Sequence, residues 1–225
     1  MHIEPGLVNG AKILLSYVTA AGAGAYAIQR ARTTLREQGA ASFAARSIAS
    51  TVLVFSFFEI LPHFPVGVSE VHLILGSTLF LIFGVAPAAF GLALGLLLQG
   101  LLFAPFDLPQ YGMNVTTLLV PLFALEALAR RIIPSGMAYV DLSYGQVLSL
   151  SLAYQSGIVA WVAFWALYGQ GMTAANLAAI STFGGAYLLM VLIEPVVDLL
   201  VLASAKALRG LKGSGWVTPR LHSAG

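Results

Sequence analysis

Four side chains of this 225-residue chain can bind a transition metal through imidazole nitrogen, His2, His63, His72 and His222, and no cysteine competes with them. Without thiols, disulfides, thiolate metal sites and a cysteine nucleophile are excluded, so any metal is held by nitrogen or oxygen. His2 carries the most specific chemistry because of its position. A free α-amine, the amide nitrogen of the second residue and that residue's imidazole Nδ1 can close fused five- and six-membered rings around one ion, with the three nitrogens roughly coplanar. A histidine at the third position would complete a square of donors by itself, whereas His2 leaves one position open for another ligand. Planar nitrogen donors suit Ni(II) and Cu(II), and Co(II) accepts similar surroundings. Such binding displaces protons from amine, amide and imidazole, so it is expected to depend on pH.

The fourth ligand is sought among the loop histidines. His72 begins an apolar stretch in SEVHLILGSTL and can point into a bundle; His63 sits in the Pro-flanked turn LPHFP, where a solvated loop residue is the simpler reading. His72 is favoured. Glu70, two residues before it, can orient the imidazole or draw cations in by charge, and equally reads as a solvated loop acid. Glu59, Glu126, Glu194 and Asp198 fall in or near apolar spans, where an ionisable group is costly. Glu126 precedes Arg130 by four residues, the spacing of a helical ion pair. Glu194 and Asp198 flank Pro195 at the same spacing, and three roles are open to them: protonated carboxyls, a cation site or a contact with a partner subunit.

The elements that must position these groups are membrane helices. The chain is 59% hydrophobic and 9% charged, far from a soluble domain. About 20 apolar residues cross a bilayer of roughly 30 Å, and such runs predict seven spans: Leu7 to Ile28, Phe43 to Leu61, Val71 to Val85, Ala88 to Phe103, Met113 to Leu128, Tyr144 to Tyr168 and Asn176 to Leu202. The third and fourth are short and separated by a turn expected at Ala86 and Pro87. With seven spans the clusters Arg30/Arg32/Arg36/Arg46, Arg130/Arg131 and Lys206/Arg209/Lys212/Arg220 share one side, assigned to the cytoplasm, and Lys12 alone stands apart. The N-terminus is then outside, with the loops LPHFPVGVSEVH and FAPFDLPQYGMN beside it. Glu4 and Lys12 in the first apolar segment argue against a cleaved signal peptide. The expected architecture is an all-α membrane protein, one bundle over residues 1–205 with an N-terminal metal-binding arm and a basic cytoplasmic tail over 206–225. In the run TAAGAGAYA, Ala20 and Gly24 lie four residues apart, a spacing that lets helix backbones approach closely, foremost within the chain itself.

MHIEPG at the start, VGVSEVHLILG before the third span and YGMN before the fifth together resemble the cobalt/nickel substrate-binding membrane subunits of energy-coupling factor ABC transporters, the CbiM/NikM family. The similarity covers most of the chain. It implies a substrate-capture subunit of a prokaryotic inner-membrane importer for Co(II) or Ni(II), with the ion as transported ligand and no cofactor. It implies as metal ligands Met1, through its amine, His2, through amide and side chain, and His72. Asn114 matches an asparagine in a loop that helps close the family's site; on residue type and position alone, and not from the resemblance, Glu70 and His63 are further candidates to support the site. Two departures stand out. DLPQYGM replaces a Gly/Thr-rich stretch ahead of Asn114, and Glu70 and Val71 occupy positions where small residues are usual. The resemblance further implies a separate transmembrane coupling subunit and two ATPase subunits. The chain itself carries no G-x-x-x-x-G-K-[ST] run. Two other readings are a permease for an organic solute with an incidental His2 and an intramembrane enzyme. The second lacks H-E-x-x-H and any mid-span histidine to serve Ser151 or Ser181.

Overall fold

The computed structural model describes residues 2–208; Met1 and residues 209–225, with most of the expected basic tail and His222, lie outside the described residues. Seven helices follow in order: α1 Leu14–Gln38, α2 Ala40–Glu59, α3 Gly76–Phe83, α4 Val85–Leu102, α5 Tyr111–Ile132, α6 Tyr144–Gln170 and α7 Ala174–Leu208. A small antiparallel hairpin, β1 Phe64–Val66 and β2 Ser69–Val71, stands between α2 and α3. Six of the helical segments are long and apolar enough to cross a membrane.

The third expected span is the exception. Over Val71 to Val85 the chain forms a full helix nowhere: it leaves β2, runs without regular structure to Leu75 and forms only the eight-residue α3. Arg46 Nη1, near the start of α2, donates to the Phe83 carbonyl at 2.7 Å, so α3 ends at the same end of the bundle as the basic clusters. Leu73 to Phe83, part irregular and part helical, reaches at most roughly 20 Å at 3.3 Å and 1.5 Å per residue, short of the roughly 30 Å hydrocarbon core. Of the seven expected spans, six correspond to helices long and apolar enough to cross a membrane, and the third does not. The break between α3 and α4 falls at Gly84, whose φ of 87° suits glycine, and not at Ala86 and Pro87. Pro87 lies in the first turn of α4, where its missing N–H would have had no helical partner. The first helix is also displaced: α1 continues ten residues past Ile28, because its polar C-terminal turns, QRARTTLREQ, stay helical beyond the apolar run.

Close helix approach is carried by small residues. A Cβ on Gly91 would lie 2.0 Å from Ser50 Oγ, and one on Gly95 2.7 Å from a Val54 methyl, so α2 and α4 meet almost backbone to backbone. In α1 the buried residues are Ser16 and then Ala23, Ala27 and Ala31, the three alanines on one face at four-residue spacing. Ala20 packs against the same core, while a Cβ at Gly24 would meet nothing. Glu126 is buried and paired with Arg130 at 2.7 Å, as its spacing indicated; Arg30 also pairs with it, and the Tyr26 hydroxyl donates to it at 3.1 Å.

Candidate metal centre

The N-terminal arm is fixed from three sides. Ile3 bridges to Ser69 on the hairpin edge; the Glu70 amide and the Ser69 hydroxyl both donate to the His2 carbonyl at 2.9 Å, and the Glu4 amide donates to Val68 at 3.2 Å. The arm thus lies along β2 as a short third strand. From α5, Asn114 Oδ1 accepts the Ile3 amide at 2.8 Å. Ile3 and Val8 pack into a buried cluster with Met113 and Trp165. Beyond it, Lys12 Nζ donates to the Tyr168 and Gly169 carbonyls at 3.0 Å, and Gln170 to Leu7 at 2.8 Å, tying the arm to the end of α6. The lysine left over from the basic clusters therefore serves a helix C-terminus, where positive charge is favoured.

The hairpin that receives the arm depends on Gly67. Its φ of 64° turns β1 into β2, and a Cβ there would lie 2.2 Å from the Ala179 carbonyl oxygen on α7. Only glycine meets both demands.

This framework brings His2, Glu70 and His72 together, with one ligand atom of each lying within 4.8 Å of the other two. His2 Nδ1 lies 2.7 Å and His72 Nε2 2.8 Å from the same carboxylate oxygen, Glu70 Oε2. Both imidazoles are buried, and their ring centroids are 5.3 Å apart. His2 Nε2 faces the other way, 4.0 Å from Asp107 Oδ2. That disposition matters for chelation: a histidine that binds through Nδ1 carries its proton on Nε2, and a carboxylate beside Nε2 favours that tautomer. Burial lowers the basicity of His2, which favours the neutral imidazole that a metal needs. For Glu70, burial opposes ionisation, but the hydrogen bonds from His2 and His72 outweigh it and hold the carboxyl well below the ordinary range.

The remaining expected residues divide. Asn114 anchors the arm through Ile3. His63 is outside the three-residue cluster: its ring stacks on His72 at 4.9 Å and 10°, and its Nδ1 lies 3.3 Å from the Leu61 carbonyl. Phe58 covers the same imidazole at 5.2 Å. Asp107 was not singled out by spacing or motif; the signal was a lone acid in the Pro-rich segment FAPFDLPQYGMN. Glu194 and Asp198, whose role the sequence left open, are buried in α7 and bonded to the start of α3.

The family described as "CbiM: Cobalt uptake substrate-specific transmembrane region" matches residues 2–210. The crystal structure of a transition metal transporter is similar at 19% identity with a TM-score of 0.68, covering 93% of this chain and 94% of that one. That of a truncated transition metal transporter gives 18% and 0.63, covering 93% and 98%. No match was found among curated protein sequences.

Proposed function

The chain belongs to the CbiM cobalt-uptake family, a multi-pass membrane component of metal uptake, and from that premise we propose that it is the substrate-capture subunit of an energy-coupling factor importer for Co(II) or Ni(II). The ion is cargo, not a resident cofactor. In this reading Met1 supplies its amine, His2 its amide nitrogen and Nδ1, and His72 its Nε2, with Glu70 placing a carboxylate at the same point. The observation that carries the proposal is the convergence of His2 Nδ1 and His72 Nε2 on one position, 2.7 and 2.8 Å from Glu70 Oε2.

The charges support a divalent ion. A deprotonated amide and an ionised Glu70 contribute two negative charges, so the complex is neutral, which a half-buried site of low dielectric favours. The site end faces the outside and the basic end the cytoplasm of a prokaryotic inner membrane, as the positive-inside rule requires. Energy comes from a transmembrane coupling subunit and two ATPase subunits, since the chain has no phosphate-binding loop of its own.

The test uses protein made without an N-terminal tag. Acetylating the amine, or extending the chain by a few residues, leaves every side chain intact and should abolish tight Co(II) and Ni(II) binding by calorimetry. Undiminished affinity in the blocked protein would sink the chelate. His72→Ala should lose binding to a similar degree, and His63→Ala, which removes only a stacked ring, should shift it a few-fold.

A further inference from the structure

The stretch that carries His72 into the bundle is anchored by α7 rather than by itself. α3 has no side-chain cap from its own sequence, and it is preceded by Leu75, the one non-glycine residue with positive φ among the described residues. The amides that precede the helix would be orphaned at membrane depth, where each unpaired group is costly. Glu194 takes both: the Ile74 amide donates to Oε1 at 2.5 Å and the Leu75 amide to Oε2 at 3.0 Å. One turn further along α7, Asp198 accepts the Ser77 hydroxyl at 2.5 Å and the Thr78 hydroxyl. Behind Glu194, Gln155 of α6 donates to Oε2 and accepts the Tyr187 hydroxyl at 2.7 Å. Glu194, Asp198, Gln155 and Tyr187 are all buried.

His72 is separated from this clamp by a single residue, Leu73, and nothing between β2 and α3 forms regular structure. The imidazole hangs between two supports, the hairpin on one side and the α7 carboxylates on the other. Pro195 follows Glu194 directly and deprives α7 of one backbone hydrogen bond at the clamp.

We propose that Glu194, seconded by Asp198, is a positioning residue for His72, so that the placement of α7 against the start of α3 decides whether the imidazole stands at the metal. The proposal rests on the metal-capture reading of the site. When α7 shifts, the 74–75 backbone follows the carboxylate, His72 leaves the ion, and the arm alone retains it weakly. The fourth ligand is thus the release point.

The experiment compares the tag-free protein with Glu194→Gln, which keeps one acceptor oxygen and loses the second. Co(II) and Ni(II) salts are the probes; affinity, dissociation rate and the visible absorption spectrum of the Ni(II) complex are the readouts. Glu194→Gln should weaken binding by about 10- to 100-fold, the usual effect of losing an outer support of a metal ligand, and move the spectrum toward that of His72→Ala. Leu125→Val, a buried core change toward the C-terminal end of α5 and on none of α3, α6 and α7, should lower thermal stability and leave the spectrum unmoved. A Glu194→Gln protein with the parent's dissociation rate and spectrum overturns the proposal. Should that variant not fold, Tyr187→Phe decides: it frees Gln155 with one oxygen removed, and a faster dissociation supports the clamp while an unchanged one refutes it. A parent that binds neither ion removes the capture reading and this one together; a parent that binds normally beside an indistinguishable Glu194→Gln removes this one alone.

Discussion

Replacing Glu70 by glutamine changes the charge at the point where both imidazoles meet and little else, since the amide is nearly isosteric. A cation held by His2 Nδ1 and His72 Nε2 sits near the position of Oε2, whose distances to those atoms are 2.7 and 2.8 Å. A displaced carboxylate then stays close; the divalent ion with its deprotonated amide carries one net positive charge, and two unit charges 4 Å apart interact by about 4 kcal/mol at an effective dielectric constant near 20. Two effects reduce that figure. The Glu70 side chain keeps 22% of its surface exposed, which admits screening, and the same carboxylate also stabilises the ion-free site by accepting from both imidazoles. A net loss of about 2–3 kcal/mol remains, equivalent to roughly 30- to 150-fold in Kd. Glu70→Gln should show that loss for Co(II) and Ni(II) in calorimetry or in competition with a coloured chelator, with thermal stability followed in parallel. Glu37→Gln, an exposed acid near the C-terminus of α1, should bind like the parent. If Glu70→Gln binds within about twofold of the parent or more tightly, Glu70 only fills the space and the charge-balance argument is wrong.

Three further outcomes follow from the packing around the arm. Asn114→Ala leaves the buried Ile3 amide unpaired, a cost of about 1–3 kcal/mol, and should raise the metal Kd about tenfold or more; Asn114→Asp keeps the acceptor and should recover most of it, and equal losses in the two would contradict the anchoring role. Gly76→Ala places a methyl 2.2 Å from the buried Tyr154 ring and should cost about 1–3 kcal/mol by overpacking, whereas Gly24→Ala, inside α1, meets nothing and should hold or raise the melting temperature through helix propensity; the two melting curves check this. In metal-free protein, burial lowers the His2 pKa below 6.5 and the histidine hydrogen bonds lower that of Glu70 below 4.5, so the docked arm binds fewer protons than the free arm. Docking is therefore fully stabilised above about pH 6.5 and weakens as pH falls through the lower folded value of His2. Emission from Trp165, which packs on Ile3 and Val8, should report that loss between pH 7 and 5, and a flat profile would count against it.

The reach of the sequence is set by which forces act locally. Six helices were legible because each satisfies its own backbone and shows a long apolar run, and their polar ends erred where helix outlasts hydrophobicity, as in α1 beyond Ile28. His2 was legible as a candidate because a chelate at the second position is a covalent fact of spacing, and His72 as a candidate because it begins an apolar stretch. Glu70 and Asp107 were less so. Their importance comes from the hairpin register that places Ser69 opposite Ile3 and from the turn before α5, neither of which leaves a periodic signature.

The least legible element explains the most expensive residues. An apolar stretch of ordinary length over Val71 to Val85 reads as one more spanning helix, yet it must also deliver His72 to the arm at one end. A continuous helix begun at Val71 would bond the amides of Leu75 and Gly76 to the carbonyls of Val71 and His72, and would fix His72 on a helix face instead of against the hairpin. Leaving residues 72–75 out of a helix, with Leu75 in the left-handed region, frees the imidazole but strands the Ile74 and Leu75 amides in the core. Glu194 of α7 accepts both amides, and Asp198, four residues on along the same helix, accepts the Ser77 and Thr78 hydroxyls at the start of α3. Two buried acids on one helix and a broken helix elsewhere are therefore one feature. Read in sequence they stand about 120 residues apart, and neither accounts for the other until the bundle closes.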